Sequence, residues 1–254
     1  MENGIDETKR ISIKQLPRNV WAVGFTSFFM DISSEMVVNV LPLFLSNVLG
    51  VQTSIIGLID GIAEATASIL KMFSGWLSDK MGGRKWLAVI GYGLSALFKP
   101  FYYFANTWGI VAGVRWADRV GKGIRTAPRD ALVADSVDQK TRGLAFGFHR
   151  AMDTAGALLG IAIAALVVWL TQRNTLSLGQ STFKAIVLLS LLPALLAVLS
   201  LAIGAKEVAV KGERAAPKFS LKSMGKPFSI FLVIVSIFTL GNSSDSFLVL
   251  RAQN

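Results

Sequence analysis

Six apolar runs, each long enough to cross a bilayer, fix what this chain can become: residues 20–46, 54–77, 86–104, 107–125, 144–170 and 183–203. A seventh begins near Phe228 and is cut off at Asn254. A helix needs about 20 apolar residues to span the hydrocarbon core. Inside lipid every backbone polar group must find a partner within the protein, so such runs fold as helices. The expectation is an all-α, polytopic membrane protein with six complete transmembrane helices and a truncated seventh. Composition agrees: 52% of residues are hydrophobic and only 17% are charged, against the usual quarter in soluble domains.

The loops give an orientation. Lys9, Arg10, Lys14 and Arg18 precede the first run; Lys80, Arg84 and Lys85 lie between the second and third; Arg129, Lys140 and Arg142 between the fourth and fifth. Lys206, Lys211, Arg214, Lys218, Lys222 and Lys226 follow the sixth, while the alternate loops carry only Arg173. Basic loops stay inside, so the N-terminus is expected in the cytoplasm. The formal charge of +10 is thereby read as membrane topology, not as a nucleic-acid footprint. The polar N-terminal segment lacks a cleavable signal pattern, so the first span is expected to act as its own insertion signal.

Within this plan the segments are a cytoplasmic 1–19, a six-helix bundle 20–203, a basic linker 204–227 containing Gly212, Pro217, Gly225 and Pro227, and the start of a second bundle, 228–254. Residues 29–38 (FMDISSEMVV) and 239–248 (TLGNSSDSFL) align Ser33, Ser34 and Glu35 with Ser243, Ser244 and Asp245, and Phe28 with Phe238 just before them. That supports a parallel six-plus-six repeat of which this chain holds the first half.

The fourth run breaks the apolar rule. Arg115, Asp118, Arg119, Lys122 and Arg125 follow one another at spacings of three and four, which places them on one helical face. One charge at the bilayer centre costs roughly 2.5–3.5 kcal/mol on insertion scales, so this face must meet a watery cavity or buried partners. With one histidine and no cysteine, no metal cluster, disulfide or nucleophile–base pair can be assembled, and neither enzyme activity nor a cofactor is expected. A phosphate-loop reading of Gly121-Lys122-Gly123 fails, because Trp116 stands where the first glycine belongs and Gly123 where Ser or Thr should follow.

The loop after the second run reads Gly75-Trp-Leu-Ser-Asp79-Lys80-Met-Gly82-Gly83-Arg84-Lys85. This resembles the signature of the major facilitator superfamily. Glycines there permit a tight turn, and Asp79 is expected at a helix N-terminus. Arg115-Trp-Ala-Asp118-Arg119-Val-Gly121-Lys122-Gly123, running on to Ala134-Asp135, is similar to the family's span-four pattern, with Asp118 and Arg119 in place of the usual Gln and Gly. The form Asp-Arg-x-Gly-Lys-Gly-x-Arg-x-x-Pro-Arg-Asp resembles a prokaryotic permease branch, which implies a place in a prokaryotic inner membrane. Gly156-x-x-x-Gly160 in the fifth run lacks the Pro-Gly pair of the antiporter motif, which counts against drug export. The resemblance implies a monomeric, proton-coupled secondary active transporter of a small solute, working by alternating access, with spans one, four and seven around a central site. It also implies a cytoplasmic latch of Asp79, Arg84 and Asp135.

The candidate pathway residues are Asp31, Glu35, Asp60, Glu64, Arg115, Asp118, Arg119, Lys122 and Asp245; the gating motif is Gly75, Asp79, Lys80, Gly82, Arg84, Lys85 and Asp135. Asp31 and Glu35, one turn apart, read as a proton site or substrate contact, or as ion-pair partners of Arg115 or Arg119. Asp60 and Glu64 read as pathway lining or as balance for the fourth span. Arg119 with Lys122 reads as an anion preference, since a guanidinium binds carboxylate or phosphate at two points. His149, Arg150 and Asp153 open the fifth span, with the histidine expected at the interface rather than in a proton relay. Lys99-Pro100 predicts a kink, and Gly57, Gly61, Gly75, Gly91, Gly93, Gly109 and Gly113 predict close helix contacts. Two alternatives remain open: proton-driven multidrug antiport, which Asp31 and Glu35 favour, and a non-transporting receptor or assembly protein.

Overall fold

The computed structural model describes residues 12–172, 177–208, 225–240 and 245–253, and every regular element among them is helical. The expectations for Lys9, Arg10, Arg173, most of the basic linker, and Ser243 and Ser244 lie outside the described residues, as does the side chain of Asp245.

Helix α1 (Arg18–Val38) starts behind Pro17 and stops before a short α2 (Leu41–Leu43) and a π-helical turn, Phe44–Val48. A single unbroken first span was the expectation. Pro42 explains the break: it has no N–H to offer the Val38 carbonyl, and its ring crowds that position. Helix α3 (Thr53–Met81) ends at Gly82, whose φ of 65° is a left-handed terminator that suits glycine. Helix α4 (Lys85–Phe98) tightens at Lys99-Pro100 into a 3-10 segment, Lys99–Phe104, so the predicted kink is a change of helix type.

Helix α5 (Trp108–Asp135) runs ten residues past the expected end at 125 and carries Pro128 inside it. Hydropathy marks only where a helix leaves the hydrocarbon layer; α5 continues as a polar helix beyond it. Helices α6 (Arg142–Thr171), α7 (Gln180–Gly204), α8 (Gly225–Leu240) and α9 (Asp245–Gln253) complete the described chain. Four segments are long and apolar enough to cross a membrane by composition alone: residues 18–48, 53–81, 142–171 and 180–204. Helix α4 is short at 14 residues, and α5 is a span interrupted by charge.

The helices pack in two groups. Helix α1 lies against α6 and α7; α5 lies between α3 and α4; α4 touches α7, while α1 and α5 meet only sparingly. Two buried apolar clusters hold the groups together. One gathers Met36, Phe44, Val111, Phe183 and Ile186 at the end away from the basic loops, with the Phe44 and Phe183 rings stacked 3.8 Å apart. The other gathers Val20, Val23, Tyr92, Leu132 and Leu201 at the basic end.

Close approach depends on fewer of the predicted glycines than expected. Gly91 meets the α5 backbone at Gly121, whereas Gly61, Gly93, Gly109 and Gly113 have no neighbouring atom among the described residues where a Cβ would stand. Gly156 and Gly160 instead carry the α1–α6 contact: a Cβ at Gly160 would lie 2.6 Å from the Ile32 carbonyl oxygen, and one at Gly156 would collide with that of Phe28. Gly160→Ala is therefore expected to lower stability by about 1–3 kcal/mol, the usual cost of overpacking. Gly109→Ala should be neutral, and thermal unfolding of the two variants in detergent checks the difference.

Candidate functional site

The charged face of α5 is tied to two neighbours. Towards α3, Arg115 donates from Nε to Asp60 Oδ1 at 3.2 Å, and its Nη2 lies 3.2 Å from the same oxygen and 3.9 Å from Glu64. Arg119 Nε stands 3.0 Å from Glu64 Oε1 but is not aligned to donate a hydrogen bond to it. Towards α4, Arg125 donates to Ser95 Oγ at 2.5 Å and stacks over the Tyr92 ring at 4.5 Å. Ser95 in turn donates to the Asp118 carbonyl oxygen. Arg115, Asp118, Arg119 and Arg125 are all buried, and Lys122 is exposed.

Asp118 is held inside a ring of cations, Arg119, Lys99, Arg125 and Arg115, with its Oδ1 lacking a hydrogen-bond partner among the described residues. Lys99 is buried and, among the described residues, bonds only hydroxyls: Nζ donates to Ser33 at 2.5 Å and to Ser34 at 3.4 Å, and Ser33 in turn donates to the Ser190 carbonyl oxygen. This joins the α4 end to α1 and α7.

Of the two readings of Asp60 and Glu64, geometry brings them to the cations of α5. The ion pair between α1 and α5 is not formed: Asp31 and Glu35 make no ion pair within 4 Å among the described residues, because α1 and α5 are not close neighbours. Glu35 accepts from Asn39 at 2.8 Å. Asp31 is half-buried and feels Asp153, Arg125, Arg129 and Glu35 from farther off. Lys71 is exposed on α3.

His149 is buried, not interfacial. Its Nε2 lies 2.9 Å from Ser27 Oγ and 3.6 Å from Asp153, which also pairs with Arg150 at 3.7 Å. The glycines that bring α6 onto α1 turn the histidine inwards. Ser27 also meets Tyr92, and Arg129, held by Asp130 at 2.9 Å, reaches both hydroxyls at 3.5 Å.

At the basic end the motif residues do assemble. Arg84, 1% exposed, pairs with Asp79 at 2.6 Å and Asp135 at 3.3 Å and donates to Ser78 Oγ at 2.8 Å. Asp79 lies in the last turn of α3, not at a helix N-terminus as expected. The acid at a helix N-terminus is Glu207, which accepts from the backbone N–H of Arg84 at 2.6 Å and of Lys85 at 3.1 Å at the start of α4. Lys80 stacks over Trp76 at 5.2 Å, and Gly75 packs on Ala127.

Glu207, Ser95 and Tyr92 were not singled out from the sequence; Ser33 stood out only in the repeat, and Arg129 only as a basic residue after the fourth run, whereas it lies inside α5. A lone glutamate in a basic stretch and serines inside apolar runs carry no periodic signal. Only the rule that buried charges need partners marks such serines as candidates.

The model of the Major Facilitator Superfamily matches residues 23–251. The chain is 36% identical over 240 residues to an uncharacterized MFS-type transporter of Methanocaldococcus jannaschii, covering 94% of this chain and 58% of that protein. It is 24% identical over 140 residues to the uncharacterized MFS-type transporter YqjV of Bacillus subtilis, covering 55% and 34%. Among solved structures, a POT family transporter in complex with a thioalcohol conjugated peptide aligns with TM-score 0.67 at 15% identity over 88% of this chain and 46% of that one. The human organic anion transporter TETRAN aligns with TM-score 0.59 at 16% identity, over 81% and 51%. The chain thus spans a little over half of the archaeal relative's length and about half of these solved chains.

Removing Arg84 takes away the guanidinium that bridges Asp79 and Asp135. Arg84→Ala should cost about 3 kcal/mol, the low end for a broken buried pair because Asp79 is 39% exposed. Arg84→Lys should restore only part of it, since an ammonium cannot bridge three acceptors as a planar fork does. Thermal unfolding of the solubilised protein reads both.

Proposed function

The chain belongs to the Major Facilitator Superfamily, and we propose on that premise that it supplies the first six-helix half, and the start of the second, of a secondary active transporter. The transporter moves a small solute across a prokaryotic inner membrane by alternating access. The row of charges on α5 carries the reading. Arg115, Asp118, Arg119 and Arg125 are buried on one helix of an apolar bundle, an arrangement that costs stability and serves a polar pathway.

In this reading the basic loops and the N-terminus are cytoplasmic, 20–203 is one bundle, 204–227 is a linker, and 228–254 opens the second bundle with Asp245 at the shared site. Asp31 and Glu35 are the proton-carrying carboxylates. They are half-buried on α1 and free of the arginine pairs that engage Asp60 and Glu64. A carboxylate without a fixed cation can exchange a proton as its surroundings change. Arg119 and exposed Lys122 give the cavity its preference for organic anions, with Glu64 as the group an incoming anion displaces from Arg119. Asp79, Arg84 and Asp135 form the cytoplasmic latch. The protein works as a monomer in the bilayer, without nucleic acid.

The test uses the whole protein in liposomes that enclose a pH-sensitive dye, with carboxylates, phosphate esters and lipophilic cations supplied outside in turn. The expected result is proton movement that depends on carboxylate or phosphate. Arg119→Ala should weaken it about tenfold or more, since a hydrogen bond to a charged group contributes roughly 1.5–3 kcal/mol. Asp31→Asn with Glu35→Gln should abolish pH-driven uptake; intact uptake in that variant would sink the proton assignment. Flux with lipophilic cations alone, lost on neutralising Asp31, would move the assignment to drug antiport. A folded protein that moves no solute would leave a receptor or assembly role.

A further inference from the structure

Asp60 serves two partners with its two oxygens. Oδ1 takes the Arg115 guanidinium, and Oδ2 accepts a hydrogen bond from Ser246 Oγ on α9. The first partner belongs to the charge row. The second lies on the segment that the sequence repeat assigns to the second half. One partly buried carboxylate therefore joins the row to the other half.

The surroundings show a built contact. One turn before Asp60, Gly57 has no Cβ, and the Phe247 ring fills that place; a Cβ there would lie 2.5 Å from the ring. Leu250 is 8% exposed and belongs to the same buried cluster as Met36, Val37, Val40 and Leu41. Ser246, Phe247 and Leu250 share one face of α9, and α9 touches both α2 and α3. All of this lies at the end of the bundle opposite the basic loops. Arg84, Asp79, Asp135 and Glu207 stand at the other end.

We infer that the contact of α9 with α2 and α3 is a closed gate at the end opposite the basic loops, and that Asp60 is the positioning residue that ties this gate to the charge row. Arg115 holds Oδ1, which fixes the carboxylate plane and aims Oδ2 at Ser246. An anion that draws Arg115 towards itself loosens Oδ1, and the acceptor of the gate bond turns with it. Opening the gate returns Oδ2 to water and leaves Arg115 as its remaining strong partner. The apolar part of the contact gives closure; the carboxylate makes closure depend on the occupancy of the row. This inference rests on the two-state transport reading, but its measurement needs no solute.

Residues 1–254 contain no cysteine, so reporters can be placed one at a time in the whole protein once any cysteine beyond them is removed. Leu250→Cys reports the gate. Ile186→Cys, fully buried on α7, reports general loosening. The rate of labelling by a bulky polar maleimide is measured in nanodiscs. The expected parent rate at Leu250→Cys is slow. Ser246→Ala should raise it about tenfold, the factor carried by 1.4 kcal/mol, while the rate at Ile186→Cys stays unchanged. Ser246→Thr should return it to the parent value. Asp60→Ala should raise it at least as far, and adding Ser246→Ala to Asp60→Ala should bring no further rise. Arg115→Gln, which removes the partner of Asp60 Oδ1, should raise it too.

An unchanged rate in Ser246→Ala overturns the gate. A parallel rise at Ile186→Cys reduces the contact to ordinary packing. Additive effects of Asp60→Ala and Ser246→Ala, or an unmoved Arg115→Gln, remove the coupling through Asp60. If the rates respond as stated and liposomes show no flux, the transport reading fails and the gate stands.

Discussion

The pairing of Arg115 and Arg119 on α5 with Asp60 and Glu64 on α3 is the constraint on which the bundle depends. A guanidinium cannot face lipid tails, and a buried one left alone is more costly than the pair. Once α5 carries these arginines, its charged face must turn inwards, and a helix bearing two carboxylates one turn apart must lie beside it. The remaining cations are satisfied in the same spirit on the other flank, Arg125 by Ser95 and the Tyr92 ring, and Lys99 by serine hydroxyls. Desolvation thus decides which helices are neighbours, and apolar packing then fills the space between them.

Such pairs form only if the helix axes come close. Gly91 and Gly121 let α4 and α5 meet backbone to backbone, Gly123 does the same against Ala67 of α3, and Gly156 and Gly160 bring α6 onto α1. Serines finish the contacts with bonds from hydroxyl to carbonyl: Ser74 to Gly123, Ser95 to Asp118, Ser33 to Ser190. Small residues and hydroxyls do in lipid what large apolar side chains do in water, since tails offer no hydrophobic gain on helix association. Helices α1 and α5 lack such a seam. The carboxylates of α1 are therefore left outside the ion pairs of the α5 charge row.

Periodicity made the spans and the charged face of α5 legible, because both are properties of a single helix. Pairing is a property of two. Asp31 and Asp60 carry the same chemistry on helices of similar hydropathy, and nothing local says that Arg115 will lie beside the second. The same limit hid the burial of His149, which follows from Gly156 and Gly160 several turns away, and made Gly61 or Gly113 look like contact glycines although no described helix packs on them. Pro42 could have been read locally, since a proline four residues after Val38 breaks that hydrogen bond wherever it occurs. The end of α5 could not, because hydropathy measures the thickness of the membrane and not the length of the helix.

Asp79 and Glu207 show how residue type can be right and its placement wrong. An acid at a helix N-terminus and a cation near a C-terminus are both favourable to the helix dipole. The motif supplies an acid, Asp79, but leaves it in the last turn of α3, where the dipole opposes it; Arg84 offsets that with a direct pair. The N-terminus of α4 is then completed by Glu207, from the far side of four intervening helical elements. Because Glu207 follows α7 directly, the same carboxylate that caps α4 also fixes where the chain leaves the bundle, while Asn19 holds Lys206 beside it through its backbone. The dipole of one short helix thereby helps fix where the chain leaves the bundle after α7.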